Sequence, residues 1–177
     1  MQTDQYSTSF STLFSSTPVR QGLEKSVSLL KEMKNSRSRI FFIGNGGSNS
    51  ICSHMMQDYA KIGGYRTFSF SDPSLITCFA NDFGYENAIR EWLKINFDAG
   101  DLLFALSCSG ESKNILNAVD YANSSGGKVI TLSAFEKNNS LSGKGRINFH
   151  VPEKNFGIAE CFHQVILHII LDSLNEN

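Results

Sequence analysis

Histidines, carboxylates and small hydroxyl residues gather in a few short stretches of this chain. His54 and Asp58 stand four positions apart in a segment of helical periodicity, about 40° from each other around one helix face. Such a pair can share a metal ion, with zinc chemically natural for it, or form a plain His–Asp pair at the surface. Glu160, His163, Gln164 and His168 lie in a mostly apolar segment near the C-terminus, where burying them unpaired is costly. Spacing alone favours Glu160 acting with His163 or Gln164. Glu160 and His168 are eight residues apart, roughly 12 Å along a regular helix. For both to serve one ion, the helix must begin near Glu160 or the ligands must come from different subunits. The plainer alternative is a capping Glu and core histidines with internal partners.

Two Gly/Ser-rich turns offer a different chemistry. Ile40-Phe41-Phe42-Ile43 runs into Gly44-Asn45-Gly46-Gly47-Ser48, and Asp101 to Leu106 runs into Ser107-Cys108-Ser109-Gly110-Glu111-Ser112. In each, backbone N–H groups and hydroxyls at a strand-to-helix turn can converge on an anion, helped by the helix dipole. The first turn is neither the dinucleotide G-x-G-x-x-G nor a P-loop with its Lys, and the second, taken singly, also reads as an ordinary Ser-capped helix start. Two such turns on one sheet edge, with no Lys for a triphosphate, suit a sugar phosphate better. Cys108 has no neighbouring His in sequence to activate it, so a contact role is favoured over a nucleophile. Asn81-Asp82 reads as an Asx turn, of interest only at the same edge.

The elements that must position these groups follow from periodicity. Phe10, Leu13 and Phe14 predict a short docking helix over Ser7 to Phe14. Thr17-Pro18 reads as N-cap and first helical position of an amphipathic helix ending near Asn35. Strands are expected at Arg39–Ile43, Arg66–Phe70, Asp101–Leu106, Lys128–Leu132 and Arg146–Val151. Between them fall helices at Ser48–Ile62, with a buried stripe of Ile51, Met55, Tyr59 and Ile62, at Asp72–Ala80, Glu86–Asn96 and Lys113–Ser124. Asn81 to Tyr85 reads as a turn, and a long helix spans Ile158 to Leu174. Strands nearly continuous in apolar residues, alternating with helices, give an α/β fold with a parallel sheet covered on both faces. Ligands in such folds bind beyond the C-terminal strand ends.

Composition narrows the function class. A chain of 177 residues is most simply one domain, 1–177. Sixteen Lys and Arg against seventeen Asp and Glu leave no basic surplus, so a generic nucleic-acid partner is not expected. The uninterrupted apolar runs are too short for a bilayer span, and no membrane association is expected. The Ser/Thr-rich start lacks the order of a signal peptide, so a cytoplasmic location is expected. The four cysteines are scattered, which favours free buried thiols over disulfides or a Cys-based zinc site.

These motifs together resemble the phosphoheptose isomerases of the sugar-isomerase (SIS) superfamily. The resemblance rests on Gly44-Asn45-Gly46-Gly47-Ser48 with His54, on Asn81-Asp82-Phe83-Gly84-Tyr85, on Ser107 to Ser112, and on Glu160 to His168. It covers the chain from about Val19 to its end. It implies a three-layer αβα sandwich with a five-stranded parallel sheet and added N-terminal helices, residues 1–35 packing in a homotetramer with sites at subunit interfaces. It implies conversion of D-sedoheptulose 7-phosphate to D-glycero-D-manno-heptose 7-phosphate for bacterial surface polysaccharide. By position, His54, Asp58, Glu160 and His168 take the ligand places of one Zn²⁺ per site, and Asp58, His168 and Glu160 the catalytic ones. Asn45, Gly46, Gly47, Ser48, Asn81, Asp82, Ser107, Cys108, Ser109 and Ser112 take the substrate places, and His163 is no ligand. The chain departs from the family at Asp58 (usually Glu), Glu160 (usually Gln), Cys108 (usually Thr), Glu111 (usually Asn), Ile62 (often Arg) and Gly157 (often Asp). An isomerase of another sugar phosphate stays open, as does a non-catalytic SIS sensor or scaffold similar to the replication-initiator-associating protein.

Overall fold

The computed structural model describes residues 2–175. Five apolar runs pair into one parallel sheet: β1 Ile40–Ile43, β2 Thr67–Ser69, β3 Leu102–Ser107, β4 Lys128–Ala134 and β5 Ile147–Val151. Their order is β2-β1-β3-β4-β5. The helices are α1 Gln2–Ser15, α2 Thr17–Met33, α3 Gly46–Lys61, α4 Pro73–Phe83, α5 Tyr85–Asn96, α6 Lys113–Ser124 and α7 Phe156–Asn175. The architecture is the expected three-layer α/β sandwich.

Alternation along the strands divides the interior into two cores. Ile40, Phe42, Leu102, Phe104, Leu106, Ile130 and Leu132 meet α2, α3 and α7, with Leu13 of α1 at the margin. Phe41, Ile43, Leu103, Ala105 and Val129 point the other way, against α5 and α6. This two-sided burial is why the strands read as continuous apolar runs. By length and composition α7 is apolar enough to cross a membrane, although Glu160, His163 and His168 interrupt its apolar run. Its apolar residues are core: Ile158, Phe162, Ile166, Leu167 and Ile170 are fully buried.

Several boundaries differ from expectation for local reasons. α2 takes Ser16 as its N-cap, not Thr17, and the Ser16 hydroxyl bonds back to the Leu13 carbonyl (2.8 Å). α1 is a full 14-residue helix, with Phe14 4.8 Å from Phe162 ring to ring. α3 starts at Gly46 rather than Ser48, so the glycines expected in the loop form its first turn. Ile62 drops out of the buried stripe because α3 ends at Lys61, leaving it 53% exposed. Asn81-Asp82-Phe83 is not a turn; α4 continues through it and stops only at Gly84, whose φ is +75°. The four thiols are free, but only Cys52 and Cys108 are buried; Cys78 and Cys161 are exposed.

Candidate active site at the sheet switch point

After β1 the chain turns through α3 to β2 on one side; after β3 it turns through α6 to β4 on the other. β1 and β3 are neighbours, so their two outgoing loops flank the crevice where such sheets bind ligands. The Gly44 and Ser107 loops are those loops. A cavity of about 250 Å³ opens between them, lined by Asn45, Ser48, Leu106, Ser107, Cys108, Ser109, Ser112, Phe156 and Glu160.

On the α6 side, three hydroxyls shape the loop. Ser107 Oγ donates to Ser112 Oγ (3.3 Å) and accepts from Gly110 N (3.2 Å), while Ser109 Oγ accepts from Glu111 N (3.2 Å). Gly110 sits at φ +68°, and a Cβ there would run into the Asn139 amide, so the turn admits only glycine. Asn139 is itself buried, with Nδ2 donating to the Glu136 carbonyl (2.7 Å). Glu111 points away from the hydroxyls, accepting from Ser140 N (2.7 Å) and Ser140 Oγ (2.6 Å), and these bonds hold its carboxyl below the usual range. The departure at Glu111 therefore pins the next loop and keeps its charge off the anion cradle.

On the α3 side, Glu160 of α7 stands over the first turn; a Cβ at Gly47 would strike its carboxylate. Glycine here allows close approach of two helices and a charge. Burial pushes the Cys108 thiol up to about 11, offset partly by a hydrogen bond with Ser48 and reinforced by the nearby Glu160 charge. A thiol in that state stays protonated at neutral pH and is no nucleophile.

The third group lies farther along the same helices. His54 Nε2 is 3.3 Å from Asp58 Oδ2, and the His54 and His168 rings are 5.3 Å apart. One donor atom from each of His54, Asp58 and His168 lies within 4.8 Å of the others, all half-buried. Two imidazoles and a carboxylate are the donor set of a zinc centre, whose tetrahedral donors sit about 3.3 Å apart, and the residues fit such an ion. Within one subunit Glu160 is not among them. α7 is regular from Phe156 onward, so the eight-residue separation from His168 leaves Glu160 at the serine cavity.

Other expected site residues are placed less centrally. Asn81 and Asp82 lie on the exposed last turn of α4, bonded to each other (2.9 Å), and do not line the serine cavity. His163 is fully buried on α7, its Nε2 3.2 Å from the Ser133 carbonyl, and burial pushes it down to about 4. Gly157 backs onto α1, where a Cβ would meet Tyr6 Oη at 2.5 Å; the room for a side chain is taken. The sequence reading missed Asn114, Tyr85 and Phe156. A polar Asn opening the buried stripe of Ile115, Ala118, Val119 and Ala122 was the available signal for the first. Tyr85 stood at the end of the Asn81–Tyr85 motif without being singled out, and nothing in the sequence pointed to Phe156.

Residues 5–134 match the SIS domain family. The phosphoheptose isomerase of Fusobacterium nucleatum is 31% identical over 163 residues, covering 88% of this chain and 82% of that one. The chain belongs to the SIS-domain phosphoheptose isomerase family. The phosphoheptose isomerase of Sodalis glossinidius is 30% identical over 159 residues (85% and 80% coverage). The solved phosphoheptose isomerase of Francisella tularensis superposes with a TM-score of 0.88 at 20% identity, covering 99% and 95% of the two chains. In this SIS-domain isomerase, then, two chemically distinct centres stand on α3 and α7: the serine cavity and the His54/Asp58/His168 cluster, whose donor atoms could hold a metal ion.

Proposed function

We propose that this phosphosugar isomerase converts D-sedoheptulose 7-phosphate to D-glycero-D-manno-heptose 7-phosphate for surface polysaccharide, in the cytoplasm of a bacterium, using zinc held by His54, Asp58 and His168. One observation carries the reading. α3 and α7 run side by side, and each contributes to the serine cavity near its start (Ser48, Glu160) and to the His/Asp cluster two turns later (His54, His168). The two centres thus stand roughly 12 Å apart along the helices. That separation suits a long, extended substrate, a seven-carbon chain with a terminal phosphate, better than a short one.

Ser107, Ser109, Ser112 and the first N–H groups of α6 hold the phosphate and so fix the carbon chain. Glu160 and Asn45 take sugar hydroxyls along the way. The reacting C1 and C2 reach the cluster, where zinc, when bound, supplies Lewis-acid polarisation of oxygen. Asp58 keeps one oxygen against His54; its other oxygen has only Gln57 Nε2 at 3.4 Å and is free to move the proton between C1 and C2. His168 is the paired acid–base group in any state where it is not a ligand.

The apolar helix α4, none of whose residues is fully buried, together with Phe83 at 47% exposure, supports assembly into a homotetramer. Sedimentation at micromolar concentration gives its size. The functional test is elemental analysis of purified protein together with an NMR assay on a panel of ketose phosphates. Stoichiometric zinc and turnover of the heptulose are expected; absence of both ends the reading, and turnover of another sugar reassigns the substrate. Asp58→Asn should lower kcat about 10²–10⁴-fold, whereas Glu160→Gln should act mainly on KM. The reverse pattern would make Glu160 the base.

A further inference from the structure

Asn45 is the N-cap of α3, yet its side chain makes no bond to its own helix. It is held elsewhere. Asn45 Nδ2 donates to Asn114 Oδ1 (3.0 Å), Asn114 Nδ2 donates back to Asn45 Oδ1 (2.8 Å), and Tyr85 Oη donates to the same Oδ1 (2.8 Å). Asn114 is 4% exposed and lies in the first turn of α6; Tyr85 opens α5 and is 56% exposed. Asn45 faces the serine cavity and two further cavities of about 580 and 190 Å³, and Tyr85 and Asn114 line both of the latter.

An N-cap Asn left to itself accepts from the N–H of the second or third helical residue, here Gly47 or Ser48. We propose that Asn114 and Tyr85 are positioning residues that hold the Asn45 side chain off its own helix. The latch keeps the Gly47 and Ser48 amides open toward the cavity and ties the start of α3 to the start of α6. It thereby sets the spacing between the sugar-binding and phosphate-binding helix ends. The reciprocal amide pair fixes both position and orientation, since each group offers one donor and one acceptor to the other. The third bond comes from an exposed hydroxyl on a different element, so the latch joins α3, α5 and α6 at one atom.

The consequence for substrate binding rests on the reading of the cavity as the sugar-phosphate site; the latch does not. Amide hydrogen exchange reads the latch directly. In Asn114→Ala, Asn45 is released to cap α3, and exchange at Gly47 or Ser48 should slow about fivefold, the size of an ordinary cap bond. Tyr85→Phe keeps the amide pair and should give a smaller change of the same sign. Asn114→Asp, which retains one of the two amide bonds, should recover part of the wild-type rate. Kinetics with sedoheptulose 7-phosphate then show KM rising with kcat nearly constant in the same order. Unchanged exchange at both amides in Asn114→Ala overturns the latch. Should that buried substitution prevent folding, unchanged exchange and KM in Tyr85→Phe do so. Altered exchange in a protein whose wild type leaves the heptulose untouched would sustain the latch and overturn the substrate assignment alone.

Discussion

α4 and α6 begin alike in sequence: each follows a strand, and each has a short polar N-cap, Asp72 or Ser112. Their chemistry diverges at that residue. Asp72 turns inward on its own helix, accepting from Ser74 N (2.9 Å) and Leu75 N (3.0 Å). Ser112 makes no cap bond and instead leans toward Ser107. α3 behaves like α6, since Asn45 is latched away from its helix. Helix starts with free N–H groups sacrifice a stabilising bond. α2 and α5, which follow helices, also lack a side-chain cap. Among the helices that follow a strand, the uncapped ones are α3 and α6, the pair flanking the crevice between β1 and β3. Where the cap closes on itself, as at α4, the helix end is spent on the fold; where it stays open beside the crevice, the helix end is available to an anion.

The largest effect should come from closing an open end. Ser112→Asp supplies α6 with the cap that α4 already has and places a negative charge among the phosphate hydroxyls. Repulsion between like charges a few ångströms apart should weaken phosphate-ester binding by on the order of 10²–10³-fold, read by calorimetry with sedoheptulose 7-phosphate. The melting temperature should rise, because a carboxylate at an N-cap satisfies N–H groups and complements the dipole. Binding and stability would then move in opposite directions. A variant that loses both would mean that Ser112 is structural, and the contrast with α4 would fail.

The same division runs along α7. His168 is left facing His54 and Asp58, whereas His163 is consumed inside, giving Nε2 to the Ser133 carbonyl while Nδ1 finds no partner among the described residues. Burial lowers the folded-state value of His163 from 6.5 to about 4. Between those values the unfolded chain binds the proton and the folded chain does not, so stability is full above about pH 6.5 and falls as pH drops toward 4. The loss integrates to roughly 3 kcal/mol. Urea titrations from pH 7 to pH 4 should show it, and His163→Leu should flatten the profile even where its absolute stability is lower. An unchanged pH profile in that variant would show that His163 is not the group responsible.

Much of this was readable in the residues, and the exceptions share a cause. Runs such as Leu102–Leu106 announced buried parallel strands because both faces of the sheet are covered, and the Gly/Ser turns after β1 and β3 announced the crevice. Periodicity also put His54 and Asp58 on one face. What it could not give was which groups meet across elements. Glu160 and His168 share a helix, yet one faces the serine cavity and the other the His/Asp cluster. Asn114 matters through Asn45, 69 positions away. Gly84 alone, not the whole Asn81–Tyr85 stretch, breaks the helix, because helical propensity carries through until a residue at positive φ is required.

The smallest effect tests the other half of the comparison. Asp72→Ala removes a cap that no ligand replaces, at a fully exposed position whose carboxyl is held low by bonds to Ser74 and Leu75. Losing it should cost a few degrees of melting temperature, as cap removals do, and should leave KM and kcat for the sugar phosphate unchanged. Ser112→Ala should show the converse: almost no change in melting temperature, since no cap bond is lost, with KM raised through one missing phosphate contact. If Asp72→Ala alters KM as much as Ser112→Ala does, then α4 also faces the substrate. The exposed Asn81 and Asp82 at its far end would then share the face that meets substrate, and the line drawn between self-capped and open helices would have to be redrawn around three helix ends instead of two.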